Sequence, residues 1–192
     1  MTEGYAPLRE YVKKFIAERE NIGRDFDETI IVSGGQQGID LATKVLVNEG
    51  DAVIVEEPSF IGALNAFRAY GAKLVGVPVK NDGMDIDVLE QKLNETENVK
   101  IIYTIPTFQN PSGVTMSEEK RKKLYALAKK HGVVIIEDNP YGELTFDGSK
   151  VPTIKSGDDE GVVLYSGSFS KILTPGIRVG YITGHRDLIA KM

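Results

Sequence analysis

Three observations predict an α/β fold, a three-layer α/β/α sandwich around a mainly parallel, mixed sheet. Short β-branched and aliphatic runs alternate with amphipathic segments along the whole chain. Glycine-, serine- and proline-rich junctions follow several of those runs. One run, Val133-Val-Ile-Ile-Glu137, is aliphatic at nearly every position, as a strand covered on both faces must be.

Residues 7–20 read as a helix, with Leu8, Tyr11, Val12, Phe15 and Ile16 at helical spacing and a stop at the loop around Asn21-Ile-Gly23. Residues 29–32 form a short strand, followed by Ser33-Gly-Gly-Gln-Gln-Gly38 and a helix that carries Leu41, Val45 and Leu46 on one face. A second strand over 51–56 closes in Glu57-Pro-Ser-Phe60, residues 61–70 are helical, and 73–79 form a third strand. Asp82-Gly83 makes a turn, and Asp85 caps a helix over 85–93. Residues 100–105 run as a strand into Pro106-Thr-Phe-Gln-Asn-Pro-Ser-Gly113. Ser117 opens a helix reaching His131-Gly132, with Glu118 and Glu119 placed where the helix dipole favours negative charge. Further strands cover 133–137, 162–165 and 179–183, and the Gly-, Asp- and Ser-rich stretch 146–161 reads as a surface connection.

With 192 residues, 41% of them hydrophobic, the chain can bury a sizeable core as one domain. Twenty-three basic against 28 acidic residues give a net charge of −5, which argues against a nucleic-acid surface. The absence of cysteine excludes disulfides and thiolate metal sites, and no metal is expected. No apolar run approaches the ~20 residues of a membrane span, and the first residues, Met-Thr-Glu-Gly-Tyr, do not read as a signal peptide. A cytoplasmic protein without membrane partners is the expectation.

The stretch Ser166-Gly-Ser-Phe-Ser-Lys-Ile-Leu-Thr-Pro-Gly-Ile-Arg-Val-Gly180 sets Lys171 between two serines and an arginine. Ser168, Ser170 and Arg178 offer hydroxyls and a planar guanidinium to a dianionic phosphate. An amine held beside a phosphate site suits an imine with a phosphate-bearing aldehyde, pyridoxal phosphate (PLP). Alone, S-x-S-K is as well explained by a Ser/Gly turn with a surface lysine.

Other positions bear on the choice, because ligands of open parallel sheets bind beyond the carboxyl ends of the strands. Gly34, Gly35 and Gln36 follow a strand and open a helix whose free N–H groups suit an anion, though a tight turn also needs glycine. Phe60 could stack on an aromatic ligand or merely anchor its loop. Asn110 could donate to a ligand oxygen or open a turn before Pro111. Asp138 ends the most aliphatic strand, where a carboxylate is costly unless paired. A protonated ring nitrogen would pair it, as would a salt bridge or a helix cap. Tyr141 could point its phenol into the same site or pack in the core. All lie at strand ends in one plausible crevice, and jointly they favour a cofactor site.

The motifs Gly34-Gly-Gln-Gln-Gly38, Glu57-Pro-Ser-Phe60, Pro106-Thr-Phe-Gln-Asn-Pro-Ser-Gly113, Glu137-Asp-Asn-Pro-Tyr141 and Gly167-Ser-Phe-Ser-Lys-Ile-Leu-Thr-Pro-Gly-Ile-Arg178 resemble, in order, those of the fold-type I PLP-dependent aminotransferases of class I and II. The match is closest to the branch of 2-aminoadipate and broad-specificity aromatic aminotransferases. The resemblance implies that Lys171 forms the Schiff base and then moves a proton, that Asp138 pairs with the pyridinium, and that Asn110 and Tyr141 bond O3′. Phe60 would stack on the ring, while Gly34, Gly35, Gln36, Ser168, Ser170 and Arg178 hold the phosphate. It implies transamination between an amino acid and a 2-oxo acid, homodimers, and cis bonds at Glu57–Pro58 and Asn110–Pro111.

Two features depart from the family pattern. Gly35 stands where Ser or Thr is frequent, which removes one hydroxyl contact. The chain is also about half the family length, so residues 1–192 correspond to the large cofactor domain, without the N-terminal arm or the small domain that carries the arginine for the substrate carboxylate. Such a piece is expected to be weakly active or inactive alone. The alternative is an aminotransferase-like, PLP-sensing effector domain of a transcription regulator.

Overall fold

Backbone hydrogen bonds join eight strands into one sheet in the computed structural model, which describes residues 2–146 and 148–192. In chain order they are β1 (Asp27–Val32), β2 (Ala52–Glu57), β3 (Lys73–Lys80), β4 (Gly83–Met84), β5 (Val99–Thr104), β6 (Val134–Asp138), β7 (Val163–Ser168) and β8 (Gly180–His185). They lie side by side as β1-β8-β7-β6-β5-β2-β3-β4. β3, β2, β5, β6 and β7 run parallel; β8 is antiparallel to both its neighbours, and β4 pairs antiparallel at the other edge. The sheet is therefore mixed and mainly parallel, as expected.

The helices are α1 (Ala6–Glu20), α2 (Gly35–Leu46), α3 (Ile61–Ala69), α4 (Ile86–Glu95), α5 (Glu118–His131) and α6 (Arg186–Ile189). Alternation along the strands assigns them to layers. Val53, Ile101, Ile136 and Leu164 face Ile39 and Ala42 of α2 and Ala63 and Phe67 of α3. The intervening Ile54, Ile102, Ile135 and Val163 face Leu89 of α4 and Leu124 of α5. Val12 and Ile16 of α1 pack on Tyr165, Phe169 and Tyr181, the next residues of the second face. Asp85 and Ser117 cap α4 and α5 by accepting from Val88 N and Lys120 N. Both Glu57–Pro58 and Asn110–Pro111 are cis. Among the described residues no helix is long and apolar enough to cross a membrane.

Three expectations need correction. The buried face of α2 is Gly38, Ile39, Ala42 and Thr43, with Leu41 and Leu46 only partly buried. At Gly38 a Cβ would stand 2.5 Å from Ile182, so the helix comes close to the sheet along a row of small residues that a search for large apolar side chains passes over. Tyr11 is 58% exposed and stacks on Phe15 instead of entering the core.

The stretch 146–161 is more than a surface connection; its Asp147 lies outside the described residues. Thr153, Ile154, Lys155 and Asp158 are buried. The Lys155 ammonium sits between Asp27 Oδ1 at 2.7 Å and Asp158 Oδ2 at 2.8 Å. Asp158 Oδ1 also accepts from the Gly161 and Val162 amides, and Glu137 accepts from Ile154 N and Lys155 N. The polar side chains here serve as internal partners for one another and for loop backbone, which composition cannot reveal.

Candidate active site

β1, β2, β5, β6 and β7 end along one edge of the sheet, and β8 starts there, because Gly180 pairs with Ser168. The loops leaving that edge enclose a cleft of about 290 Å³. It is lined by Gly35 and Gln36 from the start of α2, Phe60 before α3, Asn110 after β5, Asp138 at the end of β6, and Tyr141, Ser168, Ser170, Lys171 and Arg178. Of the expected site residues, Gly34 alone is not in the lining. A second, more open cleft of about 400 Å³ shares Asn110 and Tyr141 and is otherwise lined mainly by Phe108, Pro111, Leu144 and Phe146.

Asp138 closes the inner end of the first cleft. Its Oδ2 accepts a hydrogen bond from the Tyr103 phenol at 2.9 Å. Burial pushes its pKa up to about 6, opposed by hydrogen bonding from Tyr103 and by the Ser166 hydroxyl nearby. Ser166 pairs with Asp138 in the sheet register, but its buried Oγ has no hydrogen-bond partner of good geometry, and Tyr103 is the donor that holds the carboxylate. No lysine or arginine among the described residues contributes to the Asp138 environment. A buried carboxylate held on one oxygen and left without a cation matches a ligand that brings its own N–H⁺.

The outer end is cationic. Arg178 has left-handed backbone, φ 52°, and its Nη2 donates to Ser33 O at 3.2 Å. That position lies directly over Gly34, where any Cβ would overlap the guanidinium. Gly34 N-caps α2 with φ 74°, and Gly35 and Gln36 of its first turn line the cleft together with Arg178. Ser168 Oγ accepts from Ser170 N at 3.2 Å, ordering the turn before Lys171. Lys171 is exposed, with Nζ 5.9 Å from the centroid of the Tyr141 ring. Gln36 turns its amide to Gly62 O at 3.0 Å, so its backbone, not its side chain, is what α2 presents. Gly62 has no Cβ, which would stand 2.5 Å from the Phe60 ring; the ring thus lies back against the start of α3.

The residues present fit PLP: a guanidinium and helix-start amides that would hold a dianion, a cation-free carboxylate that would pair with a protonated ring nitrogen, and an amine for an aldehyde. Two neighbours escaped the sequence reading, Tyr103 and Ser166. Tyr103 had a signal: a phenol on the inner row of an aliphatic strand, shared with Ile101, needs a buried partner. Ser166 had none, because β7 extends to Ser168, beyond its aliphatic run.

The sequence profile described as aminotransferase class I and II matches residues 1–192. The chain is 46% identical to aromatic-amino-acid aminotransferase 1 of Thermococcus litoralis, over 100% of this chain and 47% of that protein. It is 39% identical to the 2-aminoadipate transaminase of Thermus thermophilus, over 100% of this chain and 47% of that one. The crystal structure of a multiple-substrate aminotransferase from Thermococcus profundus superposes with a TM-score of 0.96 at 44% identity, covering 100% of this chain and 48% of that chain. The chain thus spans about half the length of the curated relatives it matches.

Proposed function

The chain belongs to the class I and II aminotransferases, and from that premise we propose that it is the cofactor-binding large domain of a PLP-dependent aminotransferase acting on an amino acid and a 2-oxo acid. The observation that carries this reading is Asp138, buried and without a cation, lining one cleft together with Arg178 and the start of α2.

When bound, PLP supplies an electron sink for the carbanion generated at the substrate Cα. The protein's part is to hold, orient and move protons. The α2 amides of Gly34, Gly35 and Gln36, the Ser168 and Ser170 hydroxyls and the Arg178 guanidinium hold the phosphate. Gly35 contributes only its backbone. Asp138 accepts the ring N–H⁺ and keeps that nitrogen protonated, with Tyr103 fixing the carboxylate. Asn110 and Tyr141 bond the ring hydroxyl, and Phe60 covers one ring face. The Lys171 amine would hold the aldehyde and would serve as the base that moves the proton at the substrate Cα.

A second copy of the chain is the expected partner. Leu173 and Ile177 flank Lys171 and Arg178 with 71% and 45% of their surface exposed, which supports an interface beside the cleft.

The test is cofactor binding by this chain. PLP should give an imine absorbance that Lys171→Ala abolishes and borohydride fixes as a covalent adduct. An identical spectrum from the Lys171→Ala protein would overturn the assignment. Turnover by these 192 residues alone should be weak or absent.

A further inference from the structure

Glu56 is 2% exposed at the end of β2, and three groups converge on its carboxylate. The Thr104 hydroxyl donates at 2.6 Å, the Ile105 amide at 3.1 Å and Gln109 Nε2 at 3.2 Å. Glu56 does not line the cleft. It alternates with Val55 and so lies on the α4/α5 side of the sheet, opposite to Asp138. A buried carboxylate this far from solvent persists because donors fill its lone pairs.

Gln109 is equally buried, at 2%, and it is the residue before Asn110. Its Nε2 donates both to Glu56 and to Pro58 O at 2.8 Å, and its Oε1 accepts from Ser112 N at 2.8 Å. Its backbone is bonded as well, to Val114 O and from Gly113 N. One amide therefore ties the loop that carries Phe60, two residues after Pro58, to the loop that carries Asn110. Pro58 O and Ser112 N fix which way that amide points, and Glu56 Oε2 accepts from the Nε2 so directed.

We propose that Glu56 is a positioning residue of the cofactor site, acting through Gln109 to lock the Phe60 loop onto the Asn110 loop from behind the cleft. It touches no ligand. With the lock made, the stacking ring and the Asn110 amide hold a fixed spacing before any ligand arrives. The inference rests on the cofactor reading above and specifies what preorganises it.

Glu56→Leu keeps most of the volume and removes both acceptor oxygens, so the link to Gln109 is lost. The 192-residue chain is titrated with PLP in four forms: wild type, Glu56→Leu, Asn110→Ala and the double variant. Thermal unfolding is recorded for each. Loss of the buried acceptor should weaken PLP binding by about tenfold in the wild-type background. In the Asn110→Ala background the same change should matter by less than about twofold, since contacting residues are not additive. Thr104→Val removes a different donor from the same carboxylate, and should lower thermal stability without this coupling. If Glu56→Leu does not fold, Gln109→Ala cuts the link from the other side and is read in the same cycle. Equal losses on both backgrounds, or unchanged affinity, overturn the inference while leaving the cofactor reading intact. A wild-type chain that shows no Lys171-dependent absorbance overturns both.

Discussion

The Tyr103 phenol donates to Asp138 Oδ2 at 2.9 Å from a neighbouring strand, and the two side chains are buried together. Burial and the adjacent Asp138 charge keep the Tyr103 pKa well above its ordinary value, so it remains a donor at every working pH. The bond lowers the Asp138 pKa against the effect of burial, and it occupies only one of the two carboxylate oxygens. In Tyr103→Phe the Asp138 pKa should rise above its present value of about 6. Because only the ionised carboxylate pairs with a ring N–H⁺, PLP affinity should drop by roughly tenfold near neutral pH, and more at pH 6 than at pH 8. Absorbance titrations at the two pH values check this. Equal losses at both would show that Tyr103 acts by packing alone.

Gly34 and Arg178 are mutually dependent. The guanidinium occupies the space that a Gly34 Cβ would need, and Gly34 has φ 74° besides. Gly34→Ala should therefore displace Arg178 and strain the start of α2. The expected cost is about 1–2 kcal/mol of stability and at least a tenfold loss of PLP affinity. Arg178→Ala should lose comparable affinity with little change in the unfolding midpoint. A Gly34→Ala protein that binds PLP like wild type would refute the coupling.

Lys155, with 1% of its surface exposed, holds Asp27 and Asp158 together. Burial alone would raise the Asp158 pKa, but the Lys155 hydrogen bond and charge bring it below the usual range. Lys155→Met keeps the volume and leaves two carboxylates without their cation. Urea denaturation should show a loss of about 3–5 kcal/mol. PLP affinity of the folded fraction should change by less than about twofold, since none of the three residues lines the cleft.

Most of the sheet was legible because its strands are aliphatic runs bounded by glycine and proline, and because parallel strands must alternate with helices. The cleft was legible for a related reason: strand ends in such sheets gather at one edge, so Gly35, Phe60, Asn110, Asp138 and Lys171 converge whatever the loop details. What composition could not show was polar residues turned inward. Lys155, Asp158 and Glu137 read as solvated or as strand termini, yet each is buried because a partner distant in sequence meets it. Gln109, beside an expected site residue, looked like part of a turn; only the fold brings Glu56 and Pro58 to its amide.

Glu137 should make stability fall as pH rises through neutrality. Its carboxyl is fully enclosed, and burial raises the pKa to about 7 against the pull of the Ile154 and Lys155 amides and the Arg121 charge. A folded-state pKa above the unfolded value of about 4.3 means that the folded protein binds the extra proton. The resulting stabilisation is complete below about pH 4 and is lost as pH climbs to about 7. Glu137→Gln removes this titration. It should cost about 1–3 kcal/mol at pH 5, where one backbone donor loses its acceptor. It should also shrink the fall in unfolding free energy between pH 5 and pH 8 by about 2–3 kcal/mol. Urea unfolding of both proteins at the two pH values measures the difference directly, and parallel pH dependences would show that Glu137 stays ionised throughout.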